Sequence, residues 1–135
     1  MRIFPDSDVV IFLVEDHPKF RPLVDAALSD LQTGSLVTCA MVRLETLTKP
    51  TQNNDHWLLQ DYHHFYRTSC QSHAITETTF DLALTLRARH RLKSPDAINL
   101  ACAIQSGSEV FLINDRDYKT ITEIRIVSIR QYATP

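Results

Sequence analysis

Ser94-Pro95-Asp96-Ala97-Ile98-Asn99-Leu100-Ala101-Cys102-Ala103-Ile104-Gln105-Ser106-Gly107 leads, after Ser108-Glu109, into Val110-Phe111-Leu112-Ile113-Asn114-Asp115. The first run reads as a helix from Pro95 to Ser106. Ser94 stands at the N-cap and Pro95 at the first helical position. Asp96 lies in the first turn, where a carboxylate meets the positive end of the helix dipole. The helix is apolar nearly all round, which predicts burial. Gly107 occupies the helix-stop position. Val110–Ile113 is a short apolar run of the kind found in strands covered on both faces. A buried helix feeding a buried strand is the repeating unit of a parallel α/β sheet.

The alternation extends in both directions. Ile3-Phe4 starts a short strand, and Val9–Glu15 is ambiguous between strand and helix. Pro18–Thr33 carries Leu23, Val24, Ala27, Leu28 and Leu31 at helical spacing. Leu36-Val37-Thr38 reads as a strand and Ala40–Leu47 as a helix that Lys49-Pro50 stops. Asp55–Thr68 is an aromatic-rich helix, Ala74-Ile75-Thr76 a weak strand, Thr79–His90 a helix and Ile124–Ile129 a strand. The two glycines, Gly34 and Gly107, each follow a helical run and precede a strand. So few glycines argue against a many-turned β-sandwich. The expectation is one α/β domain over residues 1–135.

Composition narrows the function. The chain has 135 residues, 44% hydrophobic and 22% charged, with a net charge of −2. That suits a globular domain with its own core. No bulk positive field marks a nucleic-acid binder, so any RNA contact must come from a local basic patch. Cys39, Cys70 and Cys102 are odd in number, widely spaced and without a C-x-x-C pair. They read as reduced thiols of a cytoplasmic protein, Cys39 and Cys102 as core residues. No secretory signal or membrane-length apolar run is present, so the expected partners exclude a membrane.

In parallel sheets, sites form beyond the carboxyl ends of the strands. Asp6 follows the first strand, with Asp8 two residues on; either acid could equally cap a helix. Glu45 lies at the border of the apolar face of the helix after the second strand. Alone it reads as a solvated helix glutamate. Asp96 shares a face with Leu100 and Ala103, and Asn99 lies one turn further along. A carboxylate near a buried face costs free energy unless paired. Asn114-Asp115 closes the fourth strand, and Asp117 follows; Asn-Asp there is also a common turn. Several carboxylates close together stay ionised only with a cation between them. Oxygen ligands suit Mg²⁺ or Mn²⁺ rather than zinc.

These segments resemble the PIN-domain nucleases. Ile3-Phe4-Pro5-Asp6-Ser7-Asp8-Val9-Val10-Ile11 resembles the family's opening motif. Ser35-Leu36-Val37-Thr38 with Val42-Arg43-Leu44-Glu45 resembles the second. Ser94-Pro95-Asp96-Ala97-Ile98-Asn99-Leu100-Ala101 resembles the third and is the most specific. Val110-Phe111-Leu112-Ile113-Asn114-Asp115-Arg116-Asp117-Tyr118 resembles the fourth. Size and motif style look most like the VapC-type toxins of bacterial toxin–antitoxin pairs. The resemblance implies a three-layer fold with a central parallel sheet, Mg²⁺- or Mn²⁺-dependent cleavage of RNA, a homodimer and inhibition by an antitoxin. It makes Asp6 and Asp96 the principal metal ligands, Asp115 a further or water-mediated one, and Glu45 a ligand or an orienter of metal-bound water. Asp8, Asn99, Asn114 and Asp117 are secondary candidates. The chain departs from the pattern at Pro5, which cannot donate within a ladder, and at Ile113, where many members carry a hydroxyl. Those departures leave a second reading, a weakened PIN-fold module that binds RNA or protein.

Three other signals stand in the sequence. Phe12-Leu13-Val14-Glu15-Asp16-His17-Pro18 resembles the start of a receiver signalling domain, but no strand precedes Asp55, where a phospho-acceptor would be needed. His56, His63 and His64 share one helix with Trp57, Tyr62, Phe65 and Tyr66. They lack ligands to complete a zinc site, so a packing or dimer-facing helix is expected. Arg87, Arg89, Arg91 and Lys93 precede Asp96. They read either as helix C-terminal cations or as a rim for RNA phosphates, with Arg91, Lys93, Arg43 and Arg116 the RNA-binding candidates.

Overall fold

The computed structural model describes residues 1–115 and 118–134. Arg116 and Asp117, both sequence candidates, lie outside the described residues. The order of elements is β1 (Arg2–Pro5), α1 (Ser7–Val14), α2 (Arg21–Asp30), β2 (Ser35–Cys39), α3 (Ala40–Gln52), α4 (His56–Thr68), β3 (Cys70–His73), α5 (Glu77–His90), α6 (Ser94–Gln105), β4 (Val110–Ile113), β5 (Arg125–Ser128) and a 3-10 turn, Ile129–Tyr132.

The strands form one sheet in the order β3-β2-β1-β4-β5, and every pairing is parallel. Helices cover both faces. The reason is the strand period of two, which sends successive side chains to opposite faces. Phe4, Val37, Phe111 and Ile113 pack on one side with Val42, Tyr62, Leu86 and most of α6. Ile3, Val110, Leu112 and Val127 pack on the other with Val9, Val24 and Ala27. This is the expected three-layer α/β architecture.

Several local expectations change. Val9–Glu15 resolves as helix α1, which also removes the receiver reading, since that reading needs a strand at Phe12-Leu13-Val14. Pro50 does not stop α3. It sits buried inside the helix, two residues before its end. A proline removes one ladder donor, but the neighbouring bonds survive: Asn53 N–H donates to Lys49 O at 3.0 Å and Asp55 N–H to Pro50 O at 3.0 Å. The weak strand at Ala74-Ile75-Thr76 lies instead at Cys70–His73. Thr76 is taken by a capping box with Thr79 that starts α5. The true strand is a half-exposed edge, so Gln71 and Ser72 break the apolar alternation that sequence reading relies on. Helix α6 begins one residue early, with Lys93 at the N-cap, Ser94 first and Pro95 second. Gly107 does adopt the left-handed stop, φ 74°, but at the end of α2 Gln32 takes that role with φ 49°.

Pro5 fits a central strand because it is the last residue of β1. Asp6 N–H donates to Leu112 O on β4 at 2.9 Å, so the missing donor of Pro5 faces β2 by strand alternation. The β1–β2 register runs only through Arg2↔Ser35 and Ile3↔Leu36. No ladder bond is lost there. Ile113 is 2% exposed and belongs to the core.

His90, at the end of α5, clamps the segment that follows β4. Its Nε2 lies 2.9 Å from Glu123 Oε2 and its Nδ1 2.9 Å from Thr120 Oγ1. Burial pushes the Glu123 carboxyl up, but hydrogen bonds from His90, Thr122 N–H and its own N–H outweigh it and hold the carboxyl down at about 2. A depressed carboxylate contributes stability that is present above its unfolded value and lost as pH falls through its folded value. Between pH 4.5 and about 2, the wild type is therefore expected to lose stability that Glu123→Gln never had. Urea midpoints measured across that window check this; parallel curves for the two proteins would refute it.

Candidate metal centre at the carboxyl edge of the sheet

β1 and β4 are the neighbouring inner strands, and both end at the same edge. Asp6 extends β1 by one ladder bond and then turns into α1. It occupies the N-cap position of α1, yet its side chain makes no cap bond. Its carboxylate is 3% exposed. Capping therefore does not explain this acid. Asp8 lies half-buried in the first turn of α1, where the helix dipole favours it.

Glu45 ties the site together. Its Oε1 accepts from Ser7 Oγ at 2.7 Å and from Asn99 Nδ2 at 2.8 Å. Ser7 is the residue after Asp6, and Asn99 lies one helical turn after Asp96. The second strand's helix thus meets the starts of α1 and α6 at one oxygen. Asp96 is 8% exposed and Asn99 fully buried, on a helix whose residues Asp96–Ala103 are all buried. Asn99 has a fixed orientation, since only its amide N–H₂ can donate to a carboxylate. Its Oδ1 faces the Cys39 thiol, which donates at 3.4 Å. Cys39 also contacts Cys102. The hydrogen bond from Cys102 holds Cys39 below the ordinary thiol range against its burial, with help from the Val42 and Met41 N–H groups, and leaves Cys102 raised. Both thiols are core residues, as expected. Ser7 and Cys39 are the contributors that sequence reading missed. The only signal for Ser7 was a hydroxyl set between two acids.

The four principal carboxylates do not form one cluster. Among the described residues, no three His, Cys, Asp or Glu side chains are arranged to hold a metal ion. Asp115 stands at the expected edge, but its side chain is 71% exposed and its Oδ2 lies 3.7 Å from Arg130 Nη2. Asn114 turns the same way: its Oδ1 accepts from Arg130 Nε at 3.1 Å. The attraction of one guanidinium draws both residues toward the 3-10 turn. Asp6 and Asp96, with Glu45 between the elements that carry them, remain the set that suits a hard cation. Mg²⁺ needs only one or two carboxylates, keeping waters and substrate phosphates for the rest.

Beside Glu45 runs a groove of about 450 Å³ between α1, α3 and α4, lined by Ile11, Glu15, Glu45, Thr46, Lys49 and Asn53 among others. Arg91 and Lys93 are exposed on the connection just before Asp96. Arg43 Nη1 donates to Ser72 Oγ on the edge strand at 3.0 Å. On α4, Tyr62 is buried and donates to Glu15 Oε2 at 2.6 Å, while His56, His63 and His64 are exposed and Trp57 is 80% exposed. The helix packs through Leu58, Tyr62, Phe65 and Tyr66.

The sequence matches the PIN domain over residues 3–124. The chain belongs to the PIN domain family. A comparison with curated proteins gave no match. Among solved structures, this PIN domain is similar to a chain of VapBC2 from Rickettsia felis bound to a DNA fragment from their promoter. Identity is 12%, the TM-score 0.76, and the match covers 95% of this chain and 98% of that one. It is also similar to a chain of a toxin–antitoxin complex from Klebsiella pneumoniae, at 18% identity and a TM-score of 0.72, covering 96% and 98%. At these identities the likeness confirms the PIN fold over nearly the whole chain.

One consequence concerns this PIN domain's stability. Asn99→Ala leaves Glu45 and Cys39 each short of a partner in a buried place. The expected cost is about 1–3 kcal/mol, read as a lower urea midpoint. An unchanged midpoint would show that the amide does not hold the two elements together.

Proposed function

We propose that this PIN domain is a divalent-metal-dependent endoribonuclease of the VapC type, a cytoplasmic toxin neutralised by an antitoxin and acting as a homodimer. The observation that carries the reading is the shared Oε1 of Glu45, which links the residue after Asp6 to the residue one turn after Asp96. Family membership and the two toxin–antitoxin structures support it. Among the described residues no helix is long and apolar enough to cross a membrane.

In this reading Asp6 and Asp96 would hold Mg²⁺ or Mn²⁺, with Asp115 as a further or water-mediated ligand. When bound, the ion lowers the pKa of water and offsets charge on the phosphate. Ser7 and Asn99 occupy Oε1 of Glu45 and so aim its carboxylate at the edge where Asp6 and Asp96 emerge. Glu45 there accepts a proton from the attacking water. Arg91 and Lys93 bind backbone phosphates of the RNA, a contact that weakens with salt. Pro5 breaks no ladder bond, which supports this reading over a binding module; Ile113 fills the core and supplies no hydroxyl.

Incubation of purified protein with structured RNA, with Mn²⁺ and with EDTA, tests the reading. Cleavage should require the metal. Cleavage that persists in EDTA sinks the metal-nuclease reading, and metal binding without cleavage of a broad RNA panel favours the binding module.

A further inference from the structure

Arg130, the second residue of the 3-10 turn after β5, is held on several sides although it is exposed. Its guanidinium carbon lies 4.8 Å from the centroid of the Phe20 ring. Its Nε donates to Asn114 Oδ1 at 3.1 Å, and its Nη2 lies 3.7 Å from Asp115 Oδ2. Its backbone N–H donates to Ser128 Oγ, which in turn donates to Asn114 O. These contacts use Nε and Nη2. Among the described residues Nη1 has no hydrogen-bond partner, and 43% of the side chain is exposed. The same phenylalanine carries a second cation, for Lys19 Nζ lies 5.3 Å from its ring centroid. Lys19 is exposed and makes no ion pair among the described residues. The turn that sets it is braced. His17 Nδ1 accepts from the N–H groups of Lys19 and Phe20, each at 3.2 Å, and the Phe12 ring stacks on Phe20 at 4.7 Å. Arg21, two residues on, is paired with Asp16 and Asp25 and adds no free charge.

We infer that Lys19 and Arg130, joined by Phe20, bind backbone phosphates of the RNA strand beside the candidate metal centre. The inference rests on the nuclease reading above and adds to it a surface on the β5 side of the edge where Asp6 emerges. Arg130 touches Asn114 and Asp115, the two residues that follow β4, and β4 is the neighbour of β1. A guanidinium already fixed in position gives up little freedom when a phosphate arrives, and its planar fork suits phosphate oxygens. The negative face of the ring steadies both cations. A purely structural role for Arg130 accounts for Nε and Nη2 but leaves Nη1 and Lys19 without a purpose. Asp115 offsets part of the Arg130 charge. Lys19 has no such offset, so the pair keeps a net positive charge. The Phe20 ring is already engaged by Phe12 and Arg130, so the cations rather than the ring meet the strand.

Anisotropy of a short fluorescein-labelled single-stranded RNA, titrated with the full chain in EDTA at several salt concentrations, is the test. EDTA prevents metal-dependent cleavage of the probe. Each phosphate contact to a single strand adds about 0.7 to the slope of log K against log salt. Lys19→Gln and Arg130→Gln should each make the slope shallower by about that amount, and should weaken binding alike for probes of different sequence. Arg130→Lys should restore the slope, because it keeps the charge while losing the Nε bond to Asn114. A merely structural arginine predicts the opposite, an unchanged slope in Arg130→Gln and no rescue by lysine. Lys19 is exposed and its side chain meets only the Phe20 ring, so Lys19→Gln decides the matter even if Arg130→Gln folds poorly. An unchanged slope in both glutamine variants overturns the inference, as does a wild type that binds no RNA at low salt. Competition by inorganic phosphate equal to that by unlabelled RNA would assign the pair to a free anion and overturn it too. Cleavage with Mn²⁺ is read separately, so failure of the nuclease reading is visible on its own.

Discussion

Asp6→Asn and Asp96→Asn are each expected to lower metal-dependent RNA cleavage by at least about 100-fold. Removing a group that merely orients a metal ligand already costs about 10–100-fold, and these two residues are the buried carboxylates at the edge. Amide for acid keeps shape and hydrogen-bonding size while removing the charge a cation needs. The double variant should be barely worse than either single one if, as proposed, the two hold one ion and act as a unit. Asp115→Asn should cost far less, as its carboxylate is exposed and lies beside Arg130. Single-turnover cleavage with Mn²⁺, together with Mn²⁺ binding by calorimetry, reads both halves of this expectation. Full activity in both single variants would remove Asp6 and Asp96 from the mechanism.

The largest effect on stability is expected from Phe111→Ala, at about 3–5 kcal/mol. Domains of this kind hold only about 5–15 kcal/mol in total, so the variant should be close to unfolding at 37 °C. Phe111 is fully buried on β4, and its ring lies 5.7 Å from Phe4 and 5.9 Å from Tyr118. Phe4 is two residues before Asp6 on the adjacent strand, and Tyr118 follows Asp115. The cavity would thus open under both strand ends that carry candidate acids. Thermal and urea unfolding measure the loss; a cost under about 1 kcal/mol would mean that the core collapses around the gap without strain.

Much of the frame was readable in advance because periodicity reports burial directly. The helical run Ala97–Ala103 and the four-residue run Val110–Ile113 are buried as expected, with Ile104 half-buried. Reading failed where a residue's usual local meaning was outvoted by packing. Pro50 normally ends a helix, yet α3 runs two residues past it. The edge strand Cys70–His73 has little apolar signal, because only an inner strand must be apolar on both faces.

The site divides along the same line. Position along the chain was enough to single out Asp6, Asp96 and Asp115, since chain order and strand ends are local properties. The sequence alone also determined the α/β class and the burial of the helix that carries Asp96. Tertiary structure alone decided the partners: that Glu45 joins Ser7 and Asn99 through one oxygen, that Asp115 turns to Arg130, and that Arg43 serves the sheet edge. Those contacts join residues between 15 and 54 positions apart. A hydrogen bond depends on angstroms between elements, and spacing along the chain carries no record of them.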